Sequence, residues 1–182
     1  GGGNGSGVSF TLTEALATFD ITDVDVVGGL LSTCRGGECG VTWTGRFTAN
    51  DDFDGTGSVT VTGVYADLVG NVGVTGAADT VDIDTENPEA TVVITDAALN
   101  DGDNSSAVTI TFTEAVTNFD NTDVNVVGGL LSTLTSGDGG VTWTGTFTAN
   151  DDFDGTGSVT VTGVYADLVG NVGVTGAAHT VE

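Results

Sequence analysis

The sequence predicts an all-β protein of two tandem β-sandwiches, the first lacking its N-terminal strand. Three observations carry that expectation: an internal repeat at an offset of 100 residues, apolar–polar alternation nearly throughout, and turn clusters at regular spacing. Gly40 to Asp82 aligns without a gap on Gly140 to Glu182, and only Arg46/Thr146, Asp79/His179 and Asp82/Glu182 differ over those 43 positions. A period this long fits one small domain per copy rather than a solenoid unit. The copies are placed at 1–84 and 85–182. Copy two carries a leading segment, Glu89 to Thr95, whereas copy one opens directly at its equivalent turn, Gly1 to Asn4. This predicts either a window on a longer array or a first domain that borrows a strand from a neighbour.

Each element of the complete copy follows from a period of two. Strands are expected over about 89–95, 106–113, 122–127, 130–135, 140–149, 157–165 and 174–181. In Val141 to Ala149 the odd positions are apolar or small and the even ones are all Thr, the pattern of a strand with one face in a core and one in water. β-Branched Val and Thr suit that pleated surface. Asn150 to Gly155, Ser136 to Gly139 and Asp167 to Asn171 read as the turns between strands. Seven short strands in about 100 residues describe an immunoglobulin-like sandwich, with a barrel of the same strand count as the alternative. Trp43 and Trp143 fall on the apolar phase and are expected in the core.

Composition excludes several partners. Asp and Glu number 26 against 2 Arg and no Lys, for a formal charge of -24. Phosphate backbones and anionic membrane surfaces need Lys and Arg, so neither nucleic acid nor such a membrane is a partner. No apolar run approaches the roughly 18–20 residues of a membrane span, and no secretory h-region opens the chain. The patterned Val, Ile, Leu and aromatic residues argue against disorder despite the charge.

Phe112 to Val116, Asp120 to Val124, Gly140 to Thr144 and Ala166 to Asn171, followed by a strand into an acidic linker with proline, together resemble a known family. They resemble the bacterial Ig-like repeats of giant secreted adhesins, RTX-type and biofilm-associated surface proteins among them. The resemblance covers all of copy two, and copy one apart from its first strand. It implies non-catalytic extender domains on the cell surface, outside the cell, that carry a distal adhesion module. It also implies Ca²⁺ stiffening the junctions. The linker reads Asp84-Thr85-Glu86-Asn87-Pro88, where the family pattern would have Asp-Thr-Thr-Ala-Pro, and a Cys pair is unusual for the family.

The acids themselves point to the same cation. In immunoglobulin topology the linker leaves the exit end of one domain and meets the entry end of the next. Asp82, Asp84 and Glu86 would then approach Glu114, Asp167 and Asn171 at that entry end. Glu14, Asp67 and Asn71 form the equivalent half-site in copy one, and Asp51, Asp52 and Asp54, beside Asn50, form a weaker candidate loop. Such oxygen donors without Lys suit Ca²⁺, which takes 6–8 oxygens in irregular geometry. Neither the EF-hand spacing nor the glycine-rich nonapeptide is present. The alternative is that these acids only solvate turns.

Cys34 and Cys39 flank four residues and are expected to form a local disulfide in an oxidising compartment, with a redox or metal-binding pair as the alternative. The one histidine, His179, has Asp79 as its counterpart, and no hydrolytic triad can be assembled around it. The Thr rows read as solvated strand faces rather than as an ice- or sugar-binding array. A second functional reading is a filament or surface-layer subunit, in which one chain's strand completes the first domain of the next. A carbohydrate-binding module would need exposed aromatics on one face, which the alternation does not supply.

Overall fold

A computed structural model describes residues 5–37 and 40–182. The chain divides into two compact units, Gly1–Glu86 and Asn87–Glu182. Each is an all-β repeat with two main sheets, and none of those sheets closes into a barrel.

In the second repeat one sheet runs Ala90–Ile94, Ser105–Phe112, Thr142–Ala149, Gly129–Leu131, with Thr135–Ser136 also paired to Thr142–Ala149. The other runs Val124–Val127, Gly157–Val161, His179–Val181. All pairings are antiparallel. The alternation read from sequence is literal in Ser105–Phe112, where Ser106, Val108, Ile110 and Phe112 are buried. With Val92, Ile94, Phe147, Val159, Val161 and Val181 they form the core between the sheets. Ser106 is tolerated there because its hydroxyl accepts the Asp96 N–H at 2.9 Å. Trp143 packs against this core, its ring 5.3 Å from that of Phe119, and its indole N–H donates to the Gly140 carbonyl.

Several elements are shorter than the periodicity suggests. The expected strand 174–181 is regular only over His179–Val181, 130–135 divides into Gly129–Leu131 and Thr135–Ser136, and 157–165 stops at Val161. Beyond Val161 the chain turns away from the sheet to bring Ala166–Asp167 against Val116–Thr117. The segment before Val124 is a 3₁₀ turn, Asn121–Asp123. Asp120 caps it by accepting the Thr122 N–H, while the Asp123 carboxylate accepts the Asp120 N–H. Local side-chain acceptors win over strand propensity at that point.

Among the described residues the first repeat copies this plan with one strand fewer. Gly5–Thr11 pairs with Thr42–Ala49, and among the described residues nothing pairs with its outer edge. In the second repeat Ala90–Ile94 occupies the equivalent edge and buries Val92 and Ile94. Burying two such side chains contributes roughly 1.5–3 kcal/mol each. The described core of the first repeat is correspondingly small: Phe10, Phe19, Leu31, Phe47 and Ile83 are its fully buried members.

Candidate functional site

The acids that sequence reasoning singled out at the entry end of the second repeat are organised around Asp167. The short strand Ala166–Asp167 delivers it to a tight turn whose reversal is permitted by Gly170 at φ 103°. One carboxylate oxygen, Oδ1, accepts the backbone N–H groups of Val169, Gly170 and Asn171 at 2.8, 2.6 and 2.9 Å. The other, Oδ2, accepts the Asn171 side-chain amide at 2.8 Å. Only 2% of Asp167 is exposed. Burial alone would raise its pKa, yet the donors from Asn171, Gly170 and Val169 outweigh it and hold the carboxyl below the usual range. A fixed negative charge is thus kept at a nearly dry position.

Glu114, two residues beyond the Ser105–Phe112 strand, brings a carboxylate oxygen within 4.8 Å of that of Asp167. No Lys or Arg occurs anywhere from 85 to 182, so the sequence supplies no ammonium or guanidinium to offset the pair within the repeat. Hard oxygen donors with residual negative charge fit Ca²⁺ and not a thiolate- or imidazole-preferring metal. Asp167 Oδ1 is saturated by N–H donors, which leaves Oδ2 with a lone pair to offer.

The equivalent turn in the first repeat is built the same way. Asp67 accepts the Val69 and Asn71 N–H groups at 2.9 and 2.8 Å and the Asn71 side-chain amide at 2.6 Å, which lowers its pKa. Glu14 stands exposed. Asp82 and Asp84 prove to be strand residues of Asp79–Asp84, opposite Thr56 and Asp54 respectively, rather than members of a free linker. Glu86 is exposed. Asp51 and Asp52 are exposed loop residues, with Asp52 in the left-handed region at φ 52°, and Asp54 begins the strand Asp54–Val61. Cys34 is half-buried against the first core, where burial, with Asp20 and Asp23 nearby, pushes its thiol up. Its expected disulfide partner, Cys39, lies outside the described residues.

Sequence reasoning missed Tyr165. Its ring is fully buried, and its hydroxyl lies 3.0 Å from the Pro88 carbonyl and 2.8 Å from that of Val174. The segment entering the repeat is thereby tied to the last loop, and Val174 N–H donates to the same Pro88 carbonyl. The available signal was a Tyr immediately before the Ala-Asp of the acid turn in both copies.

Two open antiparallel sheets around one core, repeated in tandem with acid-organised loops, define immunoglobulin-type sandwich modules. The model of the bacterial Ig-like domain matches residues 1–83 and again 84–182, and the chain belongs to that family. Among curated proteins none matches. The structure of the Yersinia pseudotuberculosis adhesin InvE is similar at 17% identity with a TM-score of 0.38, covering 99% of this chain and 54% of that one. That of Yersinia pseudotuberculosis InvD is similar at 22% identity and a TM-score of 0.34, covering 97% and 51%. The chain spans about half the length of each. Among the described residues no helix is long and apolar enough to cross a membrane.

Proposed function

We propose that these repeats are non-catalytic extender modules of a bacterial extracellular adhesin, stiffened by Ca²⁺ where one repeat follows another. The observation that carries the reading is the Asp167–Glu114 pair: two carboxylates within 4.8 Å, one buried and held ionised, in a repeat without Lys or Arg. In this reading Asp167 and Glu114 contribute oxygens from the repeat itself. Asp84 and Glu86, which precede it in the chain, are the further donors, with Asp82 and Asn171 beside them. Asp67, Asn71 and Glu14 stand ready for the acids of a preceding segment. Ca²⁺ at such a position neutralises the acids and limits the freedom of the chain between repeats. Partners on this reading are neighbouring repeats, and the adhesion ligand belongs to another part of the protein. The Cys34–Cys39 disulfide is part of the same proposal, consistent with an oxidising exterior.

Isothermal titration of the chelator-treated chain with Ca²⁺ tests it, alongside Asp167→Asn. Saturable binding that the substitution weakens at least about tenfold supports the site, a loss of about 1.4 kcal/mol. No heat above dilution at millimolar Ca²⁺ sinks the cation, though not the extender role. The extender role stands or falls on whether spin labels on the two repeats give a narrower distance distribution with Ca²⁺ than with chelator.

The filament reading rests on a different observation, the outer edge of Gly5–Thr11, along which a strand from another chain could add. Light scattering at high concentration separates the two: a monomer throughout opposes the filament, and growing assemblies favour it.

A further inference from the structure

The two arginines of the chain stand on one face of one sheet. In the first repeat Arg35 is paired with Thr44, and Arg46 lies two places further along the Thr42–Ala49 strand. Trp43 and Phe47, at the alternate positions, pack on the core, so both arginines project from the outer face. They are diagonal neighbours, about 7–8 Å apart at Cα, and both are exposed. Gly5 makes room for the second, since a Cβ there would run into the Arg46 guanidinium. The strands of this sheet carry no Asp or Glu, and among the described residues neither guanidinium is in an ion pair.

The opposite side of the same sandwich has the reverse sign. Its sheet of Val24–Val27, Asp54–Val61 and Asp79–Asp84 carries Asp25, Asp54, Asp79, Asp82 and Asp84, and neither Lys nor Arg. Asp82 is paired with Thr56, and Asp54 lies two places from Thr56, so these carboxylates are set on the same diagonal spacing as the arginines. Ile83 between the strand's acids is buried, which turns Asp82 outward. Like charges this close repel, and a pair of opposite sign relieves each set. The second repeat loses both signs together: Thr135 and Thr146 replace Arg35 and Arg46, while Asn125 and His179 replace Asp25 and Asp79. All three differences between Gly40 to Asp82 and Gly140 to Glu182 fall at charged positions of these two sheets.

We infer that the Arg35–Arg46 face of one copy of this chain docks on the Asp54–Asp82 face of a second copy. The two faces lie on opposite sides of one sandwich, so the contact is heterologous and propagates side by side without closing. Each guanidinium offers a planar fork to a carboxylate, and Ser9, Thr42 and Thr44 surround the pair with hydroxyls and no competing acid. The net charge of -24 opposes approach at long range. At physiological ionic strength the screening length is about 8 Å, so charges at the contact outweigh distant ones. One contact of exposed ion pairs is weak, and it multiplies where many copies are held side by side. The outer edge of Gly5–Thr11 takes no part, nor does any cation at Asp167.

Nuclear magnetic resonance of the intact 182-residue chain tests this, from about 10 μM to about 1 mM in chelator and about 0.15 M salt. Expected are concentration-dependent shifts of the Arg35 and Arg46 side-chain N–H groups together with the Asp54, Thr56 and Asp82 amides, and none at Thr135 or Thr146. About 1 M salt should abolish them. Arg35→Thr with Arg46→Thr installs the residues that the second repeat carries in the same strands. It should weaken association on the order of tenfold or more, as should Asp54→Asn with Asp82→Asn. Mixing the two double variants should restore one contact, giving a dimer that grows no further. Spectra unchanged up to the highest concentration overturn the assignment, as does association that survives both double variants. Slowed amide exchange along Gly5–Thr11 with Arg35 and Arg46 unmoved would assign the contact to strand addition and overturn it too. So would arginine shifts that need added oligogalacturonate, which would give the face to an acidic saccharide.

Discussion

Asp167 shows how one residue can serve both structure and charge. Its carboxylate replaces the ladder partners that the Val169–Asn171 backbone lacks, so Asp167→Ala strands several donors in a nearly dry turn. We expect about 2–3 kcal/mol of destabilisation of the second repeat, read by urea unfolding. Asp138 works in the open: the Thr142 N–H and hydroxyl, together with the Ser136 hydroxyl, hold its carboxyl at about 2. Both carboxyls titrate lower in the folded chain than in the unfolded one. Their stabilisation is therefore complete above about pH 4 and lost as pH falls through the folded values, toward 2 for Asp138. The melting temperature should hold near neutrality and drop below about pH 4, and Asp167→Asn should flatten that acid limb.

At the scale of elements, the loop from Tyr165 to Val174 is set by a glycine. A Cβ on Gly173 would fall 2.0 Å from the Tyr165 ring, and Gly73 is placed likewise against Tyr65. Gly173→Ala should push the ring off its seat and cost about 1–3 kcal/mol, while Tyr165→Phe removes only the hydroxyl and should cost about 1 kcal/mol. Thermal unfolding of the two variants ranks them. The core strands were legible from period two because burial on one face imposes it, as in Ser105–Phe112. The last strand was not, because Gly170 to Ala178 carries strand-like valines whose segment is held by Tyr165 and Pro88 outside the sheet ladder. Asp167 and Glu114 were legible as acids near turns. The four hydrogen bonds to the Asp167 carboxylate were not, since they depend on a backbone path through Gly170.

For the whole molecule, the two repeats should differ in stability despite near-identity over their second halves. Ala90–Ile94 completes the core of the second repeat, and among the described residues the first has no such strand. Calorimetry should give two transitions, the lower belonging to the first repeat. Val159→Ala, at a fully buried position, should lower only the upper transition, by about 1–3 kcal/mol. Val59→Ala, half-buried in its repeat, should lower only the lower one, and by less. A single transition shifted by both substitutions would mean that the repeats unfold as one cooperative unit.

By itself the sequence determined the all-β class and the tandem repeat. Those follow from periodicity and self-similarity, which are properties of the chain before it folds. Tertiary structure alone decided that Asp82 and Asp84 lie on a strand, that Asp167 stays ionised while buried, and that Asn150–Thr156 differs from its identical twin Asn50–Thr56. Asp167 draws its donors from its own turn, but for Asp82 and Asp84 the deciding partners lie far along the chain, at Thr56 and Asp54, and for Phe53 it is Thr85, 32 residues away. A local stretch cannot specify its own conformation when the groups that satisfy its hydrogen bonds arrive from elsewhere.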